Sequence, residues 1–139
     1  MTKLKVGVRY FLGVVFILYS LVKFFRRHPY DFPISGDIHS IPSDRLFWYF
    51  FGYSQAYVNY LGFIELASGI LILFPKTFRI GALSLTVMAA NIAILDFVYN
   101  VGPVKFWATF LAILSFGLMA TEWSSYRTAL QSLIERSEK

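Results

Sequence analysis

Apolar residues in this chain gather into runs too long for the single stripe of a soluble amphipathic helix. Four runs, about 6–25, 57–74, 78–99 and 104–121, each extend roughly 18–22 residues. At about 1.5 Å per residue each is long enough to cross a hydrocarbon core of about 30 Å as a helix. Inside the runs, small and polar residues recur at helical spacing and not at the alternation of a strand. Arg9, Gly13, Phe16, Ser20, Lys23 and Arg27 follow at intervals of four and three, which puts them on one face. Gly62, Glu65, Ser68 and Gly69 do the same in the second run. The third offers Ser84, Met88 and Asn91, with Asp96 on another side, and the fourth Lys105, Ala108, Ala112, Ser115, Met119 and Glu122. Small residues let helices approach and polar ones avoid lipid, so these faces should point inward. The pattern predicts an all-α polytopic membrane protein, a four-transmembrane-helix bundle.

The connecting segments are punctuated differently. A first loop from Arg26 to about Asp44 is broken by Pro29, Pro33, Gly36 and Pro42. Residues of about 44–56, together with the start of the second run, carry Phe47, Trp48, Tyr49, Phe50, Phe51, Tyr53, Tyr57 and Tyr60. Such aromatic density predicts an interfacial helix in the headgroup layer between the first two spans, with Ser43 or Asp44 as its N-cap. Pro75-Lys76-Thr77 and Asn100-Val101-Gly102-Pro103 form the later turns, and a short, charged, helical tail follows the last run. No stretch is left over for a soluble domain, so residues 1–139 read as a single membrane domain.

Composition agrees. Hydrophobic residues make up 57% of the 139 and charged ones 15%, against about 45–50% and about 25% in ordinary globular domains. The lack of cysteine removes disulfides, thiol relays, thiolate metal sites, iron–sulfur ligation and palmitoylation together. His28 and His39 both fall in the first loop, so no span offers an imidazole to haem, and with Asp31 and Asp37 they lack a metal-ligand spacing. No metal site is expected. The N-terminal run continues to spanning length without a cleavage pattern. The net charge of +5 suits loops facing anionic lipid, and no basic block points to nucleic acid. Lys3, Lys5, Arg9, Lys76, Arg79, Arg127, Arg136 and Lys139 gather on the side of the termini, against Lys23, Arg26, Arg27, Arg45 and Lys105 opposite. The larger basic share places both termini in the cytoplasm.

The rare charges within the spans are the candidates for chemistry. Lys23, Asp96 and Lys105 lie roughly 10–13 Å from mid-span toward one side, and Arg9 and Glu122 at a similar depth toward the other. Arg9 and Glu122 are expected to form a structural ion pair. Glu65 lies near mid-span with no basic residue at its own height, and Asn91, about one turn away, is the nearest polar candidate from another helix. An unpaired carboxyl there is expected to be protonated; otherwise Lys23 bends inward to meet it or water reaches it. Intramembrane acids mark ligand, proton or ion pathways. The candidate ligand-binding set is therefore Glu65, Asn91, Lys23, Lys105 and Asp96, and no residue is assigned as catalytic. Nucleotide cradles, nucleophile elbows and zinc-protease motifs are all missing.

Val8-Arg9-Tyr10-Phe11-Leu12-Gly13 followed by Ser20-Leu21-Val22-Lys23-Phe24 resembles the first helix of DoxX-type membrane proteins. In that family an Arg, a Gly and a G-x-x-K element recur, and Ser20 stands here for the usual Gly. The run Gly62-Phe63-Ile64-Glu65-Leu66-Ala67-Ser68-Gly69 is similar to that family's second helix. Asn91 and Tyr99-Asn100-Val101-Gly102-Pro103-Val104-Lys105 resemble a subset with a third-helix Asn and a Y-D-V-P-V-K-like turn, with Asn100 for the Asp and Gly102 inserted. The resemblance implies a compact four-helix membrane bundle in a bacterial inner membrane. Some members are associated with quinone-linked sulfur oxidation or membrane oxidoreductase complexes. It thus implies an accessory subunit of a membrane redox system that binds quinone or another lipophilic ligand, lipid included, within the bundle. No covalent cofactor is implied, and whether the chain is an enzyme stays open. The alternative is a non-enzymatic scaffold or assembly subunit whose partner is another membrane protein or a second copy.

Overall fold

The computed structural model describes residues 2–25 and 37–137. Arg26, Arg27, His28, Pro29, Asp31, Pro33, Gly36 and Lys139, all part of the sequence expectations, lie outside the described residues. Helix α1 is Lys3–Phe25; a 3-10 turn, Ile38–Ser40, leads into α2, Ser43–Tyr53. Then come α3, Gln55–Leu73, α4, Phe78–Val98, α5, Val104–Ala120, and α6, Trp123–Ser137. No strand occurs among the described residues. Helices α1, α3 and α4 are long and apolar enough to cross a membrane. Helix α5 completes a fourth such segment only together with α6, from which it is bent by 64°.

Four helices form a ring: α1 against α3, α3 against α4, α4 against α5, with a sparser contact of α1 with α5 closing it. The ring is inverted relative to a soluble bundle. Its outside carries Val14, Leu18, Phe63, Ile80, Val87 and Ile113, all exposed, while Arg9, Ser20, Glu65, Ser68, Thr86, Asp96 and Ser115 are buried. A contiguous apolar exterior of this kind is untenable in water and expected in lipid. The protein is an integral membrane protein whose apolar helices meet lipid.

Close backbone approach holds the ring. Helices α1 and α3 cross at Gly13 and Gly69, where a Cβ on either would stand 3.1 Å from the other's carbonyl oxygen. Gly81 at the start of α4 lies against the backbone of Leu71 and Ile72, and Ser68 and Ser84 share a hydrogen bond of 2.6 Å between α3 and α4. The inward faces of α1 and α3 are those expected from spacing: Arg9, Gly13, Phe16 and Ser20 on one, Gly62, Glu65, Ser68 and Gly69 on the other, are buried.

Three expectations need correcting. The inward face of α4 is Ala82, Leu85, Ala89, Ala93 and Asp96, whereas Ser84 and Met88 are half-buried and Asn91 is exposed. Alanines mediate close packing there, and a uniformly apolar helix gives the polar residues no sole claim to the interior. Helix α2 has no side-chain cap from Ser43 or Asp44; its N-cap is Pro42, and Ser43 Oγ donates to the Tyr99 carbonyl at 3.0 Å. Glu122 is held by Lys5 and by Arg79 Nε at 2.7 Å, not by Arg9, whose guanidinium donates to the Leu73 carbonyl at 3.3 Å and sits over Phe78. The α5–α6 bend places Glu122 beside the first turn of α1 and the start of α4, nearer to Lys5 and Arg79.

The turn into α5 is built on left-handed residues. Asn100 has φ 51° and Gly102 φ 44°. Val101 N–H donates to the Asp96 carbonyl at 2.9 Å and Asn100 N–H to that of Phe97 at 3.2 Å. This is a Schellman closure in which Asn, the side-chain-bearing residue most tolerant of that conformation, takes the place usually held by Gly.

Two predictions follow from the packing. Gly81→Ala forces a methyl into the α3 backbone, with Ile72 Cα at 2.8 Å and Leu71 C at 2.9 Å, and should cost about 1–3 kcal/mol in a detergent unfolding titration. Gly117→Ala, with nothing within 4 Å, should be neutral or slightly stabilising. Hydrogen bonds from Lys5 and Arg79 hold the Glu122 carboxyl below the ordinary glutamate range, near about 4.3. Its contribution is fully present above that value and is lost as pH falls through the lowered folded value. The stability difference between wild type and Glu122→Gln should therefore shrink as an acid titration passes below pH ~4.

Candidate functional site

The site begins with Glu65, fully buried on the inward face of α3. One turn before it, Gly62 leaves room for α1: a Cβ there would stand 3.2 Å from Lys23 Cβ. The stem of Lys23 therefore passes over Gly62, and its ammonium reaches both Glu65 oxygens at 2.6 Å. The lysine side chain stays 25% exposed while the carboxylate is wholly covered. Of the arrangements open from the sequence, the one formed has Lys23 bending inward. The long lysine stem spans the difference in height.

The pair lies on the wall of a cavity of about 560 Å³, within the range of small-molecule pockets. Helix α1 contributes Phe16, Tyr19 and Val22, α3 Val58 and Leu61, α4 Met88, Ala89 and Leu95, and α5 Val104, Trp107 and Leu111. Helix α2 covers one end with Phe47, Trp48 and Phe51. Phe47 is buried, its ring 5.4 Å from that of Tyr99, and Phe51 packs against Tyr57 at 5.9 Å. Asp96 also lines the cavity; it is 3% exposed, and its Oδ2 has no hydrogen-bond partner among the described residues.

The other two candidates differ from each other. Asn91 touches the cavity but is exposed, and among the described residues no hydrogen bond joins it to Glu65. Lys105 is not on the cavity wall. Its ammonium donates to Asn100 Oδ1 at 2.5 Å and lies 5.7 and 5.5 Å from the Phe97 and Phe106 ring centres. The outer layer expected to join Asp96, Lys105 and Lys23 is thus divided: each lysine has another partner, and Asp96 faces the cavity.

No family model matches the chain, and no solved structure does. Over 55 residues the chain is 34% identical to an uncharacterized protein, YwoB, of Bacillus subtilis (strain 168). That match takes in 40% of this chain and 36% of the relative, so the chain spans little more than a third of the curated protein it matches.

Sequence reasoning missed the aromatic seam between α1 and α5. Trp107 Nε1 donates to Tyr19 Oη across it, Phe11 meets Trp107 edge-on at 6.3 Å, and Phe110 stacks on Trp107 at 5.4 Å. Tyr19 lies one turn before Lys23, a neighbourhood that had the seam within reach of a helical-wheel argument. Phe47, Trp48 and Phe51 were noticed for their density and assigned wholly to the lipid interface, whereas they also cover the cavity.

The pair's asymmetry sets its mutational response. Lys23→Met leaves Glu65 uncompensated in the interior and should cost on the order of 3 kcal/mol. Glu65→Gln should cost less, because the partly exposed ammonium can turn outward. The double variant should lose less than the sum of the singles, measured as a double-mutant cycle of unfolding in mixed micelles.

Proposed function

We propose that this chain is a DoxX-like four-span membrane protein that binds a lipophilic molecule within its bundle, as an accessory subunit of a membrane redox system. The observation that carries the reading is the apolar cavity of about 560 Å³ with the buried Lys23–Glu65 pair on its wall. An ion pair is costly in such surroundings, and apolar residues of similar volume would often be as stable. Its presence beside a cavity favours a role toward a ligand. At about 1.5 Å per residue, the 17 residues of α5 extend about 26 Å, close to the hydrocarbon thickness, which supports counting α5 as a span. Helix α6 then leaves along the surface. Helix α2 lies in the headgroup layer, its exposed Phe50 and Tyr53 toward lipid and its Phe47 face over the cavity. Lys3, Lys5, Lys76 and Arg79 at the opposite end support termini in the cytoplasm of a bacterial cell.

A quinone head suits these residues: Lys23 is a donor for a carbonyl, and Phe47, Trp48 and Phe51 offer faces for stacking. A bound quinone would supply two-electron redox chemistry that none of the chain's own side chains carries. The scaffold reading rests on a different feature, the exposed Leu130, Leu133 and Ile134 on α6.

Native mass spectrometry of the chain purified in lipid nanodiscs should show a small hydrophobic molecule retained at near one per protein. Glu65→Gln should lower that occupancy with helicity unchanged. A chain that carries no small molecule, and instead co-purifies with a defined protein partner, would sink the ligand reading and favour the scaffold.

A further inference from the structure

Two acids line the cavity, and one of them is paired. Lys23 and Glu65 neutralise each other. Asp96 lines the same space, is 3% exposed, and presents Oδ2 without a hydrogen-bond partner among the described residues. Both α3 and α4 end beneath α2, as the Phe51–Tyr57 and Phe47–Tyr99 contacts show. From that common end Glu65 lies about 15 Å into α3, whereas Asp96 lies within ~5 Å of the end of α4. The two points are therefore on the order of 10 Å apart along the bundle. What the shallow one lacks is a hydrogen-bond donor.

The wall beside it is open to the outside. Tyr19 and Val22 on α1 and Val104 and Trp107 on α5 line the cavity, yet they are 38%, 51%, 51% and 41% exposed. They flank the sparsest seam of the ring, bridged there by the Trp107–Tyr19 hydrogen bond. A residue that is both cavity wall and outer surface marks a window, and the surface around it faces lipid.

We infer that the cavity takes the head of a chain-bearing amphiphile whose hydroxyl or ammonium group donates to Asp96 while its apolar chain leaves between α1 and α5. This rests on the ligand-binding reading and narrows it: of a quinone pair, the hydroxyl-bearing reduced form would be preferred. A buried acceptor loses hydration on burial and regains a bond from a head that brings a donor. An ether or ester head of the same length brings no donor and leaves the acceptor as it was.

The test uses the full chain in phosphatidylcholine vesicles with three photoreactive probes of equal length, each with a mid-chain diazirine: a long-chain alcohol, the matching amine and the methyl ether. Labelled peptides are identified by mass spectrometry. The alcohol or the amine should label the window, Tyr19, Val22, Val104 and Trp107, roughly fivefold over the ether, the ratio that one hydrogen bond of ordinary worth gives. Which of the two prevails tells a hydroxyl from an ammonium ligand. Asp96→Leu should erase the excess while labelling of the lipid-facing Phe63 and Ile80 stays level. Strong but equal labelling of the window by all three probes overturns the role of Asp96 and leaves the ligand reading standing. Window labelling no greater than at Phe63 and Ile80 overturns both. Should Asp96→Leu fail to fold, the wild-type ratios decide alone.

Discussion

The Lys23–Glu65 ion pair constrains more of this structure than any other contact. Two charges drawn out of water cost several kcal/mol each before their mutual attraction is counted, so the pair persists only at near-ideal geometry. That geometry requires α1 and α3 to lie within reach of one lysine stem, which Gly62 permits beside Lys23 and which Gly13 and Gly69 extend along the crossing. In lipid no hydrophobic force draws helices together, and close packing with polar contacts must do so. The glycine contacts bring the charges together, and the charges give the glycine contacts their register.

The bundle is tight at one end and open at the other. Near the N-terminus, Leu12, Phe16, Ile72 and Leu85 fill the interior, Gly81 brings α4 onto the backbone of α3, and Glu122 ties α1, α4 and the α5–α6 bend through Lys5 and Arg79. Toward α2 the buried residues of α4 and α5 include the small Ala89 and Ala108, and the cavity opens beside them. Side-chain volume thus places the site, and the ion pair marks the floor of its polar part. The sparse α1–α5 contact lies at the same open end, bridged by aromatic rings and not by backbone approach.

The spans, the turns and the inward faces of α1 and α3 were legible in the sequence because each depends on local spacing: glycine and serine at helical intervals, proline and asparagine between apolar runs. Asn91 and Lys105 were placed in the site by helix position alone, and the structure puts Asn91 on the cavity wall but exposed and Lys105 against Asn100. Such choices depend on how far each helix is rotated about its axis, and in α4 alanine competes with polar residues for the interior. The partners of Glu122 were missed because a 64° bend carries the residue away from a straight extension of α5. The cavity itself had no signal, since it is a difference between side-chain volumes on four helices.

Depth gives the two acids of the cavity different tasks. At mid-span a carboxylate is costly without a countercharge, and Lys23 supplies it. Nearer the end of a span the cost of a polar group falls, so Asp96 can keep an oxygen without a partner among the described residues. Its position is fixed by the turn that follows: the Asp96 carbonyl accepts from Val101, and Asn100 in its left-handed conformation closes the helix and also takes the Lys105 ammonium. An aspartate at this turn position instead of Asn100 would set a carboxylate against the Lys105 ammonium. With asparagine, Lys105 is satisfied without adding negative charge at the mouth, and Asp96 remains the acid that faces the cavity there.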